Sequence, residues 1–198
     1  MIHNALDFLA KELNAHLELK NGIVGEKIVL TNVAKEDGAW AIPNNRLGLS
    51  LINIEEEKVF KEQKTAFIND AGQTEHHNPE IKLNLYVLVT ANYTSGDVDG
   101  ENIEYLEGLK QLSYVISFFQ DKYVFTNNNT PLMASIDPNI QKLIVELFSY
   151  SFEQLYNFWT VIGAKYLPSV LYKVRLLTFQ GKRLQAQRTA LEGIDLKS

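Results

Sequence analysis

The spacing of apolar residues predicts a long helix in the first part of the chain. Between residues 2 and 19, leucine and isoleucine recur at intervals of three and four, which places them on one helical face. These residues are Ile2, Leu6, Leu9, Leu13 and Leu17. Asn21 and Gly22 should end the helix, because glycine adopts the left-handed cap conformation without strain. Phe8 lies beside this face and is a candidate partner contact, although partial burial by neighbouring loops is the favoured alternative.

Alternating apolar and polar residues predict three strands in the next part of the chain, at 27–33, 48–55 and 81–93. In the second strand the apolar residues change sides, so either both faces are covered or a β-bulge intervenes. The polar stretch 56–79 joins the second and third strands. We expect these two strands to pair antiparallel, with the stretch between them forming a long arm.

The second half of the chain begins with another helix. Residues 105–120 carry apolar positions at alternating intervals of four and three, which predicts a helix packed on a sheet. The positions are Tyr105, Leu109, Leu112, Ile116 and Phe119. A short strand at 123–126, a turn at 127–131 and a strand at 141–149 follow.

The segment 151–177 is predicted to form a short helix followed by a long strand. Ser151 and Gln154 have the spacing of a capping box, in which each side chain bonds the other residue's backbone amide. Gly163 ends the helix, and Pro168 precedes the alternating strand 170–177. The apolar face of the helix contains Phe152, Leu155, Trp159 and Ile162.

Taken in order, these elements predict one α+β domain. Its sheet is mixed but mainly antiparallel, and three helices pack on it. The domain covers residues 1–181, and residues 182–198 form a basic C-terminal tail.

The charge distribution is uneven along the chain. The net charge is −5, but residues 154–191 contain no Asp or Glu and six basic residues, so the remainder carries −5 − 6 = −11. The six are Lys165, Lys173, Arg175, Lys182, Arg183 and Arg188. An acidic body would repel a phosphate backbone, which argues against nucleic-acid binding. An acidic body with a basic C-terminal part instead suits two protein neighbours of different charge. A solvated basic tail, however, is the commoner meaning of a run of basic residues.

Candidate chemistry is sparse. The chain has no cysteine, so a thiolate nucleophile and a Cys-based zinc site are excluded. His76 and His77 are adjacent, and on an extended chain they would point to opposite sides. The carboxylates at 55–57 are most simply solvated, and the 97–100 loop lacks the downstream glutamate of a calcium site. We therefore expect no catalytic residue, no metal and no cofactor.

Neither a membrane span nor a secretion signal is predicted. No apolar run approaches the roughly 18 residues that a spanning helix needs. The first residues lack the basic start and apolar core of a signal peptide. We expect the chain to be made in the bacterial cytoplasm.

A set of residues near the end of the domain carries a family resemblance: Trp159, Gly163, Tyr166, Pro168, Ser169, Tyr172, Val174 and Arg175. This set resembles the signature end of the tail-terminator (cap) proteins of contractile injection systems, the phage-tail-like devices of Photorhabdus type and type VI-like kind. The order of helices and strands agrees from residue 2 to about 180. Phe158-Trp159-Thr160 stands where Leu-Trp-Ser is usual in the family.

The resemblance implies a structural protein without enzymatic activity. It implies a ring, expected to be a hexamer, on the baseplate-distal end of the inner tube and sheath, within a particle that can be released. Lys182, Arg183 and Arg188 of the tail, with Phe8, are the candidate contacts. Two alternatives stay open: a connector that joins the tube end to a head or membrane partner, and a small-molecule or metal-binding protein that uses the arm with His76 and His77.

Overall fold

The structure is a computed structural model of the chain, and it describes residues 1–22, 25–57, 66–68, 74–76, 82–93, 103–178 and 186–188. In chain order the elements are α1 (Ile2–Asn21), β1 (Ile28–Leu30), β2 (Arg46–Glu56), β3 (Ala66–Ile68), β4 (Thr74–His76), β5 (Lys82–Asn92), α2 (Ile103–Asp121), β6 (Val124–Thr126), α3 (Pro131–Ile136), β7 (Ile140–Phe148), α4 (Phe152–Ile162), β8 (Ser169–Thr178) and β9 (Ala186–Arg188).

The central sheet has six strands in the order β1-β2-β5-β8-β7-β6. Every neighbouring pair is antiparallel except β1 with β2, which is parallel. The predicted pairing of β2 with β5 is confirmed, with Leu49 opposite Val89, and the register shifts between Leu51 and Asn53 as a bulge requires. The predicted α+β class with a mixed, mainly antiparallel sheet is therefore confirmed.

A second, smaller sheet joins the arm to the tail. The backbone order is β3-β4-β9, and both pairings are antiparallel. Thr74 lies opposite Arg188. The arm and the tail, which the sequence analysis described as separate segments, thus meet each other through backbone hydrogen bonds. The predicted domain boundary at residue 182 stays a prediction.

One face of the central sheet, here called the deep face, is covered by α1, α2 and α3. Its cluster of buried residues includes Leu13, Val87, Phe125 and Tyr172. The prediction that Phe8 contacts a partner is wrong, because Phe8 is fully buried in this cluster. Its ring meets Phe125 edge-on at 5.4 Å. Since α1 packs against α2, α3 and the sheet at once, residues beside its predicted apolar face are buried as well.

The other face, here called the shallow face, is covered by α4 and the segment 33–42. Side chains alternate along a strand, so Leu88 of β5 points here while its neighbours Val87 and Val89 point to the deep face. The buried cluster here consists of Val33, Leu88, Trp159 and Leu167. The side-chain amide of Asn92 in β5 donates a hydrogen bond to the Ile42 carbonyl at 2.7 Å, which fixes the segment 33–42 to the sheet.

Two further predictions about helices are corrected. α3 was not predicted; Pro131 begins it, and Met133 anchors it by full burial. In α2, Tyr105 and Ile116 were predicted to face the sheet, but both are exposed. The buried face of α2 contains Leu112 and Phe119, as predicted, together with Gly108, Gln111, Val115 and Phe118. Apolar residues occur on two sides of this helix, so spacing alone did not identify the packed side.

Candidate partner-binding surface

Helix α4 begins with the predicted capping box, which the structure confirms. The Ser151 hydroxyl accepts from the Gln154 amide at 3.3 Å, and the Gln154 side chain accepts from the Ser151 amide at 2.9 Å. Two amide donors that no helical carbonyl can reach are satisfied in this way. At the other end Gly163 adopts φ 71°, the left-handed conformation that favours glycine. The helix is therefore set by its own sequence at both ends.

Helix α4 lies on the shallow face through a narrow contact. Trp159 is its fully buried residue, and Leu155, Phe158 and Ile162 are partly buried beside it. Phe152 was predicted on this face, and that prediction is wrong because 91% of Phe152 is exposed. At 100° per residue the buried face is centred between Leu155 and Phe158, so Phe152 lies at its margin in the first turn.

One flank of α4 forms a groove with aromatic walls, here called the aromatic groove. Its volume is about 360 Å³, and it is lined by Phe152, Leu155, Tyr156, Trp159, Thr160, Ala164 and Tyr166. No lining residue is charged. The rings of Trp159 and Tyr166 meet edge to face at 5.5 Å. Sequence reasoning missed Tyr156 and Val161, which are both exposed and lie on opposite flanks of α4; the signal was that apolar residues occur outside the predicted apolar face.

Three backbone contacts position the segment 163–168 beside the groove. Trp40 donates through its indole nitrogen to the Lys165 carbonyl at 3.2 Å. The Pro168 carbonyl accepts from the Ala91 amide of β5 at 2.9 Å. Gly38 has φ +79°, and a Cβ there would lie 3.1 Å from the Gly163 carbonyl oxygen. Glycine at position 38 thus permits the close approach of the two loops.

The residues that carried the family resemblance do not form one site. Trp159 and Tyr166 line the aromatic groove, whereas Gly163 caps α4 and Pro168 directly precedes β8, which begins at Ser169. Tyr172 and Arg175 point to opposite faces of the sheet.

Tyr172 lies in the deep face with its ring 4.7 Å from that of Phe119, and burial raises the pKa of its hydroxyl. Arg175 lies on the shallow face and pairs with Glu146 at 2.8 Å. Both residues therefore support the sheet from within the domain.

Several predicted residues lie outside or at the limit of the described part of the chain. Lys182, Arg183 and His77 are outside the described residues. Arg188 and His76 are described as backbone only, in β9 and β4. Among the described residues, no group of three or more His, Asp or Glu side chains could hold a metal ion. Within the same residues, no helix has both the length and the apolar character needed to cross a membrane.

Compared with known protein families, residues 5–192 match the model of the Pvc16 N-terminal domain. The chain belongs to the Pvc16 N-terminal domain family. No curated protein is similar enough in sequence to count as a relative of this Pvc16 N-terminal domain.

Two solved structures share its fold. One is the PVC sheath/tube terminator of an extracellular contractile injection system in the extended state, with 13% identity and a TM-score of 0.54 over 94% of this chain and 62% of that one. The other is the tube terminating cap of the anti-feeding prophage, with 16% identity and a TM-score of 0.59 over 94% of this chain and 58% of that one. This Pvc16 N-terminal domain therefore spans about three-fifths of the length of each. The resemblance to tail terminators that the sequence suggested is confirmed.

Proposed function

We propose that this chain is a terminating cap for the tube and sheath of an extracellular contractile injection system. The observation that carries the proposal is the family match over residues 5–192, together with a fold shared over 94% of the chain with a sheath/tube terminator and a tube terminating cap. The role is structural and involves no turnover. The partners are the tube and sheath proteins, and the chain acts as part of the assembled particle.

The unlike sides of the molecule suit such a role. Tube and sheath subunits that bind head to tail add further copies until a subunit lacks the next binding face. A cap needs one surface complementary to the last ring and another that offers nothing to a further ring. Here the deep face is covered by α1, α2 and α3 and the shallow face by α4 and the segment 33–42, so the two sides of the molecule present different elements. We infer that several copies close into a ring, with six as the expected number.

The basic tail is the candidate contact with the tube or sheath. Lys182, Arg183 and Arg188 would supply positive charge, and the arm 56–79 would supply strands for backbone pairing. The antiparallel pairing of β4 with β9 supports a joint role for arm and tail. A chain truncated before residue 182 should fold but fail to cap.

The experiment is a comparison of particle lengths by electron microscopy. Particles made without this chain should lose their narrow length distribution, because nothing ends polymerisation. Supplying the full chain should restore uniform lengths, and supplying residues 1–181 should not. Uniform lengths in the complete absence of the chain would contradict the cap function. Uniform lengths with residues 1–181 would contradict only the role of the tail.

A further inference from the structure

The central sheet ends in two short strands, β1 on one side and β6 on the other. The last strand of an open sheet has backbone amides and carbonyls that point away from its only neighbour, and a strand from another molecule can pair with them. Proteins therefore cover, charge or interrupt such edges. In this chain the side chain of an asparagine occupies outward backbone groups at each of the two edges.

At the β1 edge the asparagine is Asn14 of α1. The Lys27 carbonyl and the Thr31 amide both bond β2, so the backbone groups of Ile28, between them, point away from β2. The side-chain oxygen of Asn14 accepts from the Ile28 amide at 3.0 Å and from the Lys27 amide at 2.8 Å. Its side-chain nitrogen donates to the Ile28 carbonyl at 2.8 Å. Asn14 thus bonds Ile28 as a residue of an adjacent strand would.

At the β6 edge the asparagine is Asn129, in the turn that follows the strand. The Tyr123 carbonyl accepts from the Val145 amide of β7, so the backbone groups of the next residue, Val124, and of Thr126 point away from β7. The Asn129 side chain accepts from the Thr126 amide at 2.8 Å and donates to the Val124 carbonyl at 2.9 Å. The Asn129 backbone amide donates to the Thr126 carbonyl at 3.2 Å. Both outward residues of β6 are therefore already bonded.

The parts of β2 and β7 that extend past the edge strands are poorly suited to pairing as well. In β2 the register shifts between Leu51 and Asn53, and the Asn53 side chain accepts from the Ile54 amide at 2.9 Å. Glu55 follows and is exposed. Bulges and charged residues on an edge hinder the addition of a strand. β7 extends past its pairing with β6 only as far as Phe148, a stretch shorter than the roughly five residues of an ordinary strand.

We propose that Asn14 and Asn129 close the central sheet, so that copies of this domain cannot join edge to edge through it. The groups that each side chain bonds are the groups that an added strand would need. β1 and β6 have three residues each, so few outward groups remain for a pairing once these are occupied. A protein that ends a polymer benefits from closed edges, but the inference does not depend on the cap function.

Opening both edges tests the inference. Asn14→Ala and Asn129→Ala are combined in the full chain, and its mass is followed by size-exclusion chromatography with light scattering over a range of concentrations. The parent chain should keep its own mass. The double variant should give about tenfold more material above that mass, because the freed amides and carbonyls can bond another copy. Asn129→Ala alone should act in the same direction and keeps the test available if the double variant does not fold, since Asn129 is exposed and bonds only nearby residues.

Two controls separate open edges from lost stability. Asn4→Ala, on the same helix as Asn14, removes a hydrogen bond to Asp137 at 2.9 Å and opens neither edge. Leu30→Lys, added to the double variant, places a charge at a half-exposed position of β1 and should reduce the larger material. Leu19→Lys adds the same charge on α1 and should not reduce it. Either lysine moves the net charge of −5 toward zero, which by itself favours association, so a reduction has to come from the edge.

Three results would overturn the inference. The first is a folded double variant with the mass of the parent at every concentration, which would mean that the asparagines do not keep the edges closed. The second is equal association in Asn4→Ala, and the third is an equal effect of Leu30→Lys and Leu19→Lys; both assign the larger material to lost stability. Particle lengths test the cap function separately, so the failure of either proposal leaves the other standing.

Discussion

The two faces of the central sheet differ in depth, although the same strands form both. The deep face buries a continuous cluster under α1, α2 and α3, with Phe8, Leu13 and Phe125 fully enclosed. The shallow face encloses Val33, Leu88, Trp159 and Leu167 under one short helix and one loop. Because hydrophobic stabilisation follows the apolar area removed from water, most of the folding free energy comes from the deep face.

This difference separates folding from binding within one domain. The deep face supplies the larger buried cluster, and α4 makes only a narrow contact with the sheet. The aromatic groove beside α4 stays open and has no charged lining residue. Substitutions on the deep face should therefore lower the free energy of unfolding most, and substitutions at the start of α4 should lower it less.

The largest loss of stability is expected for Phe8→Ala. The substitution removes a fully enclosed ring and its edge-on contact with Phe125. The cavity that remains cannot close, because α2, α3 and the sheet all hold α1 in place. We expect the free energy of unfolding to fall by about 4 kcal/mol. Urea denaturation measures this, with Leu19→Ala on the same helix as the exposed control, expected to change it by less than about 0.5 kcal/mol. Equal losses of unfolding free energy in Phe8→Ala and Leu19→Ala would contradict the burial of Phe8 in the deep face.

A moderate loss is expected for Gly48→Ala on the shallow face. A Cβ at Gly48 would lie 2.5 Å from Ile42 Cγ1, and Ile42, at the end of the segment 33–42, is itself buried. Forcing the two apart should cost about 2 kcal/mol. Thermal denaturation of a double variant provides the check, because Ile42→Ala removes the clashing atoms. The double variant should lose less than the sum of the two single variants, and strict additivity would exclude the clash.

A smaller loss is expected for Ser151→Ala at the start of α4. It removes the hydroxyl that accepts from the Gln154 amide, and with it half of the capping box. The expected cost is about 1 kcal/mol, together with faster hydrogen exchange at the amides of α4. Ser113→Ala is the control, since Ser113 is exposed within α2 and bonds only the Leu109 carbonyl of its own helix. If the α4 amides exchange hydrogen at the same rate in both variants, the capping box does not limit the local opening of α4.

The smallest effect is a pH dependence that comes from His16 of α1. Burial, then Lys20, lowers the pKa of His16 from 6.5, and its ring lies 4.9 Å from that of Phe118. The unfolded chain therefore binds a proton at this site more readily than the folded chain, so stability falls as the pH drops below 6.5.

His16→Gln should flatten the part of the stability profile that lies below pH 6.5, where the folded and unfolded chains differ in proton binding at this site. His3→Gln is the matched control, since His3 is exposed on the same helix. Urea denaturation at several pH values gives the profile. An unchanged slope in His16→Gln would assign the acid sensitivity to another group.

Features with a local cause were predicted from the sequence. α1 follows from one regular apolar face, and the capping box of α4 follows from two residues three positions apart. The pairing of β2 with β5 follows from two alternating segments joined through one arm. In each case the residues that decide the structure are neighbours in sequence or share one period, so short-range geometry is sufficient.

Features that depend on distant neighbours were not predicted. Phe8 is buried because α2, α3 and the sheet surround α1 together, which no local pattern reveals. The exposed apolar residues of α2 and α4 were missed because apolar residues occur on more than one side of each helix, and only packing shows which of them stay exposed. The pairing of β4 with β9 joins residues more than a hundred positions apart.

The sequence by itself determined the α+β class, the helix ends and the strand periodicity, because these depend on backbone conformation and on side-chain alternation within a few residues. The tertiary structure alone decided which face became deep, which helix sides stayed exposed and how the arm met the tail. Those outcomes depend on how side chains pack in the space between helices and sheet. That space exists only after the sheet has brought distant segments of the chain together.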